Sequence, residues 1–256
     1  MQDFDKIIES KQSLFFSFPD FNKLIAKIDI LLPEVDKIYD IISKSMPTPF
    51  ENDVRLSTIS RIELLCNYCK LSFTFLNEQL LPLNNAWWEQ NYKLQIQDDF
   101  FKERSVLTNG FSSGFVKFAA LQHLFANIEN AFRIFLRKID PSACNNGMDD
   151  FENIYRALKK RTSSFPGYSD DFLKLLRLSR NTIHNNSAYF HKKGNEQVIY
   201  KNVLYNFNFG KPINFVTWDW LIERIEDVLN FLNIIIFDPK IINEPTEIED
   251  SFLANR

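Results

Sequence analysis

The run KLLRLSRNTIHNN, residues 174–186, holds the side chains best suited to phosphodiester chemistry. On a helix, Arg177, Arg180, Asn181 and His184 fall at i, i+3, i+4 and i+7 and form one polar stripe. Leu175, Leu176, Leu178 and Ile183 take the apolar positions around it. Histidine has an ordinary pKa of about 6.5, so it can accept or give a proton near neutrality. Arginine offers a planar fork that matches phosphate oxygens. Asparagine can orient the imidazole or hold a base or ribose. These are the parts of metal-free RNA cleavage: removal of the 2′-OH proton and cationic stabilisation of the phosphorane. Cations also gather in the last turn of ordinary helices, where the dipole favours them. Spacing alone leaves both readings open.

The setting narrows the choice. RNTIHNN is followed by Tyr189-Phe190, a hairpin pattern and a closing helix. This arrangement resembles the HEPN superfamily, whose signature is Arg, usually a polar residue, then His after about four to six intervening positions near a helix end. Three residues separate Arg180 from His184, and six separate Arg177 from it. Arg180-Asn181 therefore matches the local pattern and Arg177 the spacing. The run Ile128 to Arg133 resembles the acidic-then-Arg pattern of the facing helix in such bundles. The likeness covers about residues 111–238. It implies an all-α bundle with a metal-independent endoribonuclease site, serving toxin–antitoxin or antiviral defence. The catalytic group would be His184, Arg180, Arg177 and Asn181, with Glu129, Arg133 and Asn185 in support. It further implies a homodimer that joins two such sites, and an antitoxin or defence protein as partner. A non-catalytic dimer that binds nucleotide, RNA or protein is the alternative.

Other residues carry weaker signals. Glu129 either pairs with Arg133 along its own helix or reaches across the bundle to orient Arg177 or Arg180. His123 has no adjacent acid or cysteine and reads as a core or surface histidine. His191, Lys192 and Lys193 form a basic loop that can contact phosphate. Arg156, Lys159, Lys160 and Arg161, in RALKKR, are the best RNA-backbone candidates in an acidic chain. Cys66 and Cys69 form a C-x-x-C with no second ligand pair nearby, so two buried small residues are expected rather than zinc or redox chemistry. No metal-ligand spacing occurs, and no cofactor is expected.

The elements that must position the stripe are helical. Apolar residues recur at helical spacing over 21–43, 54–81, 115–139, 149–161, 169–184 and 217–236. Pro33 is expected to kink or divide the first of these. Residues 84–103 read as loop plus a short helix. Ser169 is the expected N-cap of the stripe helix. Residues 197–209 alternate apolar and polar, and Lys201-Asn202 or Gly210-Lys211-Pro212 can turn a hairpin. The predicted fold is an all-α helical bundle with a small β-hairpin before the last helix. The expected division is an N-terminal helical region over 1–110, a HEPN-like domain over 111–240 and an acidic, flexible tail over 241–256. Thr108 to Gly114 is the candidate boundary.

Composition agrees with a helical reading. Of 256 residues only 6 are glycine and 26 are phenylalanine. Glycine poverty disfavours enzymes built on glycine-rich phosphate loops. The net charge of −3 gives no global footprint for nucleic acid. Residues 111–240 nevertheless hold 17 Lys and Arg against 13 Asp and Glu, an excess of +4, while the remainder carries −7. The first residues lack a basic region of the kind a signal peptide needs. The longest apolar stretch near the C-terminus, residues 231–237, is too short to span a bilayer. A reducing cytoplasm and no membrane association are expected.

Overall fold

The computed structural model describes residues 19–48, 52–80, 90, 108, 110–144, 150–185, 188–191 and 194–250. Among these residues the elements are seven α-helices, two π-helical stretches, a 3-10 turn and one antiparallel hairpin. Helix α1, Phe21–Ser45, starts at Asp20, whose carboxylate accepts from the Lys23 amide at 3.1 Å. Its buried stripe of Phe21, Leu24, Ile28, Leu31, Val35, Ile38 and Ile42 follows the helical period. Pro33 does not divide α1: it lies on the exposed face, where the carbonyl it leaves unbonded can meet water.

Helix α2, Val54–Thr74, is capped by Asp53 and passes into a π-helical turn, Phe75–Leu80. Cys66 and Cys69 are buried on it, and burial pushes both thiols up to about 12. A second π-helical stretch, Gly110–Val116, runs directly into α3, Lys117–Ile139. The glycines expected to mark a boundary loop thus sit in a helical lead-in. Residues 84–103 lie outside the described set, apart from Gln90.

Helix α4 is Phe151–Arg161, capped by Asp150. Helix α5, Ser169–His184, carries the stripe. Tyr168, not Ser169, occupies its cap position; Ser169 is the first helical residue and is fully buried. Strands β1, Glu196–Tyr200, and β2, Val203–Phe207, pair in the register Val198 to Tyr205. Lys201 and Asn202 both take positive φ, 50° and 62°, as a two-residue type I′ turn requires. Helix α6, Trp218–Ile236, is capped by Thr217, and the short α7, Pro239–Ile242, by Asp238.

Helices α1 and α2 pack on α3 and α6, so the N-terminal part shares one core with the rest. Phenylalanines knit that core: Phe132 lies 5.9 Å from Phe151 and 6.0 Å from Phe231, which meets Phe172 at 5.5 Å. The expected flexible tail is corrected up to Asp250. Ile248 and Asp250 are buried, and the Val54 amide donates to the Ile248 carbonyl at 2.9 Å. Fully buried Arg55 closes this junction. It binds Asp53 at 2.6 Å and donates to the carbonyls of Ile241 and Glu244.

Candidate active site

Helix α5 brings the predicted stripe together and divides it by depth. Apolar Phe172, Leu175, Leu176 and Leu178 bury one side and so fix the rotation of the helix. Arg177 is drawn inward. Its Nη2 pairs with Glu152 Oε2 of α4 at 2.9 Å, and its Nε is buried with no hydrogen-bond partner. Glu152 also holds the exposed Arg156 at 2.5 Å. The acid that orients Arg177 is therefore Glu152. Glu129 takes the other predicted course and pairs with Arg133 at 2.7 Å along α3.

Arg180 is half-buried. Its guanidinium lies over the Phe125 ring of α3 at 5.3 Å, and Nη1 donates to Asn181 Oδ1 at 3.1 Å. A guanidinium held on a ring face keeps its charge while losing freedom. His184 is exposed at the end of α5. Partial burial, and then the charge of Arg180, hold its pKa below the ordinary value. A neutral imidazole that can accept a proton thus stands one helical turn from a fixed cation. Asn185 is exposed and caps α5 through its backbone amide.

Lys174 extends the stripe toward the hairpin. Glu196 of β1 gathers Lys174 at 3.0 Å, the Tyr189 hydroxyl at 2.7 Å and His191 Nδ1 at 3.2 Å. Burial pushes the Glu196 carboxyl up, but the bonds from Tyr189 and Lys174 outweigh it and hold it below its ordinary value. His191 is thus tied to a carboxylate rather than open to solvent on all sides. Lys192 and Lys193 lie outside the described residues. The RALKKR face is largely matched by acids. Arg156 meets Glu152, Lys159 meets Asp170 at 2.9 Å and Arg161 meets Asp140 at 2.6 Å, whereas Lys160 is exposed.

Sequence reasoning missed Glu152, Glu196, Tyr189 and Phe125. Each comes from a different element, and no local spacing links it to the stripe. A separate cavity of about 300 Å³ lies between α2 and α3, lined by Arg61, His123, Asn127, Glu129, Asn130 and Arg133. Glu129 and Arg133, expected to support the stripe, face this cavity. Among the described residues, no group of three or more His, Cys, Asp and Glu is arranged to hold a metal ion, and no helix is long and apolar enough to cross a membrane. No family model, curated protein or solved structure matches the chain.

Proposed function

We propose that this protein is a metal-independent endoribonuclease that acts as a homodimer through the exposed end of α5. The observation that carries this reading is exposed His184, biased toward its neutral form by partial burial and then by the nearby charge of Arg180, which is itself held on Phe125 and Asn181. His184 takes the proton from an RNA 2′-OH. The 2′-oxygen attacks phosphorus, the P–O5′ bond breaks, and a 2′,3′-cyclic phosphate forms. Arg180 stabilises the charge on the phosphorane oxygens. The leaving 5′-oxygen needs a proton from a second imidazole in its charged form, which a second copy of α5 supplies. Arg177 acts as a positioning residue through Glu152. Resemblance to HEPN proteins adds the expectation of a toxin or antiviral-defence setting, with an antitoxin or defence protein as partner.

A non-catalytic reading also has specific support. Arg177, Arg156, Lys159 and Arg161 are all engaged by acids, which lowers the charge offered to an RNA backbone. In that case the dimer binds a nucleotide, RNA or protein without cleaving. One experiment separates the two: incubation of the protein and His184→Ala with RNA, with and without EDTA. Cleavage by the wild type alone, insensitive to EDTA and leaving cyclic phosphate ends, supports the nuclease. Equal cleavage by both forms, or loss of cleavage on chelation, refutes this mechanism.

A further inference from the structure

The chain leaving α5 presents two aromatic rings that the core does not use. Phe190 is 54% exposed and Phe209 is 55% exposed, and they meet edge to face at 5.5 Å. The backbone beneath them is pinned. The Tyr189 amide donates to the Lys211 carbonyl at 2.9 Å, the Gly210 amide to the Tyr189 carbonyl at 2.8 Å and the Phe209 amide to Asn195 Oδ1 at 2.7 Å. Gly210 takes a φ of 70°, which favours glycine, and its backbone lies beside the Phe190 ring. Tyr189 and His191 turn to Glu196, at 2.7 and 3.2 Å, so Phe190 between them is left facing outward. An edge-to-face contact covers one ring face of the pair and leaves flat apolar surface open. Single exposed apolar side chains are ordinary, whereas two rings set together on a pinned backbone form a platform.

The surroundings select an anionic partner. Residues 172–218 hold seven Lys and Arg and one acid, Glu196, in a chain whose net charge is −3. Glu196 is already engaged by Lys174, Tyr189 and His191. Carboxylates match Lys174, Arg177 and Lys201, but Arg180 and Lys211 meet no acid among the described residues. Lys211 is exposed, and its carbonyl is tied to Tyr189, next to Phe190. The Ala188 amide donates to the Asn185 carbonyl at 3.1 Å, so the chain runs from the end of the stripe directly into the platform. Phe190 is six positions after His184, which keeps their Cα atoms within about 20 Å. Rings beside unmatched cations are the means by which single-stranded nucleic acid is held, since every base has a π-face and every phosphate a charge. In paired A-form RNA the bases are already stacked and lie out of reach of such rings.

We infer that Phe190 and Phe209 form a stacking platform for an unpaired base of the RNA strand that is cut at His184, which makes the substrate single-stranded. The inference rests on the nuclease reading for the place of cleavage, while stacking is measured without cleavage. The full chain is mixed with a short single-stranded RNA that carries one 2-aminopurine and 2′-O-methyl groups throughout, which block attack by the 2′-oxygen. Binding quenches the 2-aminopurine fluorescence, and the same strand in a duplex binds about tenfold more weakly. Phe190→Leu and Phe209→Leu keep apolar bulk but remove the ring, and each weakens binding roughly tenfold and reduces quenching. Phe190→Trp retains both. The two positions are more than half exposed, so thermal unfolding of these variants stays close to wild type. Lys211→Gln weakens binding and flattens its salt dependence. Unchanged binding by both leucine variants, equal affinity for the duplex, or no binding of the single strand overturns the inference. A shift from dimer to monomer on sedimentation of the leucine variants overturns it too, because the rings then belong to an interface between copies. Binding with quenching by a wild type that leaves unmodified RNA uncut refutes the nuclease reading alone and supports the platform.

Discussion

Replacing Arg177 and His184 separately by alanine distinguishes a buried support from a surface reactant. Arg177 is 9% exposed, and its Nη2 meets Glu152 at 2.9 Å. Breaking a buried ion pair by removing one partner costs about 3–5 kcal/mol, because the other charge is left uncompensated. Two features reduce the figure here. The Glu152 side chain is 22% exposed, and it keeps Arg156 at 2.5 Å. The expected loss for Arg177→Ala is therefore about 2–3 kcal/mol, part of it lost packing of the arginine stem. For a chain of this length each kcal/mol shifts Tm by roughly 2–4 °C, which gives a fall of about 4–12 °C. His184 is exposed and its side chain makes no hydrogen bond among the described residues, so His184→Ala costs less than about 0.5 kcal/mol. Urea unfolding with both variants measures the difference directly, provided the slope is unchanged. Arg177→Met, which keeps the apolar stem, falls between the two. If Arg177→Ala is as benign as His184→Ala, the assignment of Arg177 to a positioning role is refuted.

The pH dependence has a defined sign. His184 and His123 both have folded pKa values below the ordinary 6.5, His123 through burial and then the charge of Arg61. The unfolded chain therefore binds more protons near that pH. Their contribution is present above 6.5 and is lost as pH falls through the folded values, so unfolding free energy measured from pH 7 to 5 should decline. Because cleavage needs one His184 neutral and its copy charged, the nuclease rate should pass through a maximum as pH falls through the folded pKa of His184 and decline on either side, and His184→Ala should remove the activity across the whole profile. Arg55→Ala should cost about 3–5 kcal/mol, since it strands Asp53 and several carbonyls at a fully buried junction, and limited proteolysis should then release the C-terminal segment first. Cys66 and Cys69, buried with thiols near 12, should resist a thiol reagent in the native state and react on unfolding. Rapid native labelling would contradict this burial.

Much of the architecture was legible because helical periodicity is a local property. The stripes of α1, α3 and α6 were readable from apolar spacing, and the hairpin from alternation and a two-residue turn. Pro33 does not divide α1, because propensity does not say which face meets water: on the exposed side the lost bond is tolerated. Gly110 and Gly114 misled for a similar reason, since a π-helical lead-in absorbs them. The tail from 243 to 250 reads as acidic and loose, yet Ile248 and Asp250 find a buried seat beside α2. Its partners lie close to two hundred positions earlier, beyond the reach of any spacing rule.

Sequence alone therefore determined which residues share the α5 stripe, because 3.6 residues per turn places Arg177, Arg180, Asn181 and His184 on one side. Short polar side chains at Asp20, Asp53, Asp150 and Thr217 cap their helices by satisfying the first free amides, whereas Ser169, the cap expected from the sequence, is the first residue of its helix. Tertiary packing decided what each member of the stripe can do. Glu152 takes Arg177 inward, Phe125 carries Arg180, Glu196 collects Lys174, Tyr189 and His191, and the α2–α3 contact sets Arg61 against His123. An amphipathic pattern says that a face is buried but not which helix covers it, and the covering helix supplies the charge or ring that fixes each polar group.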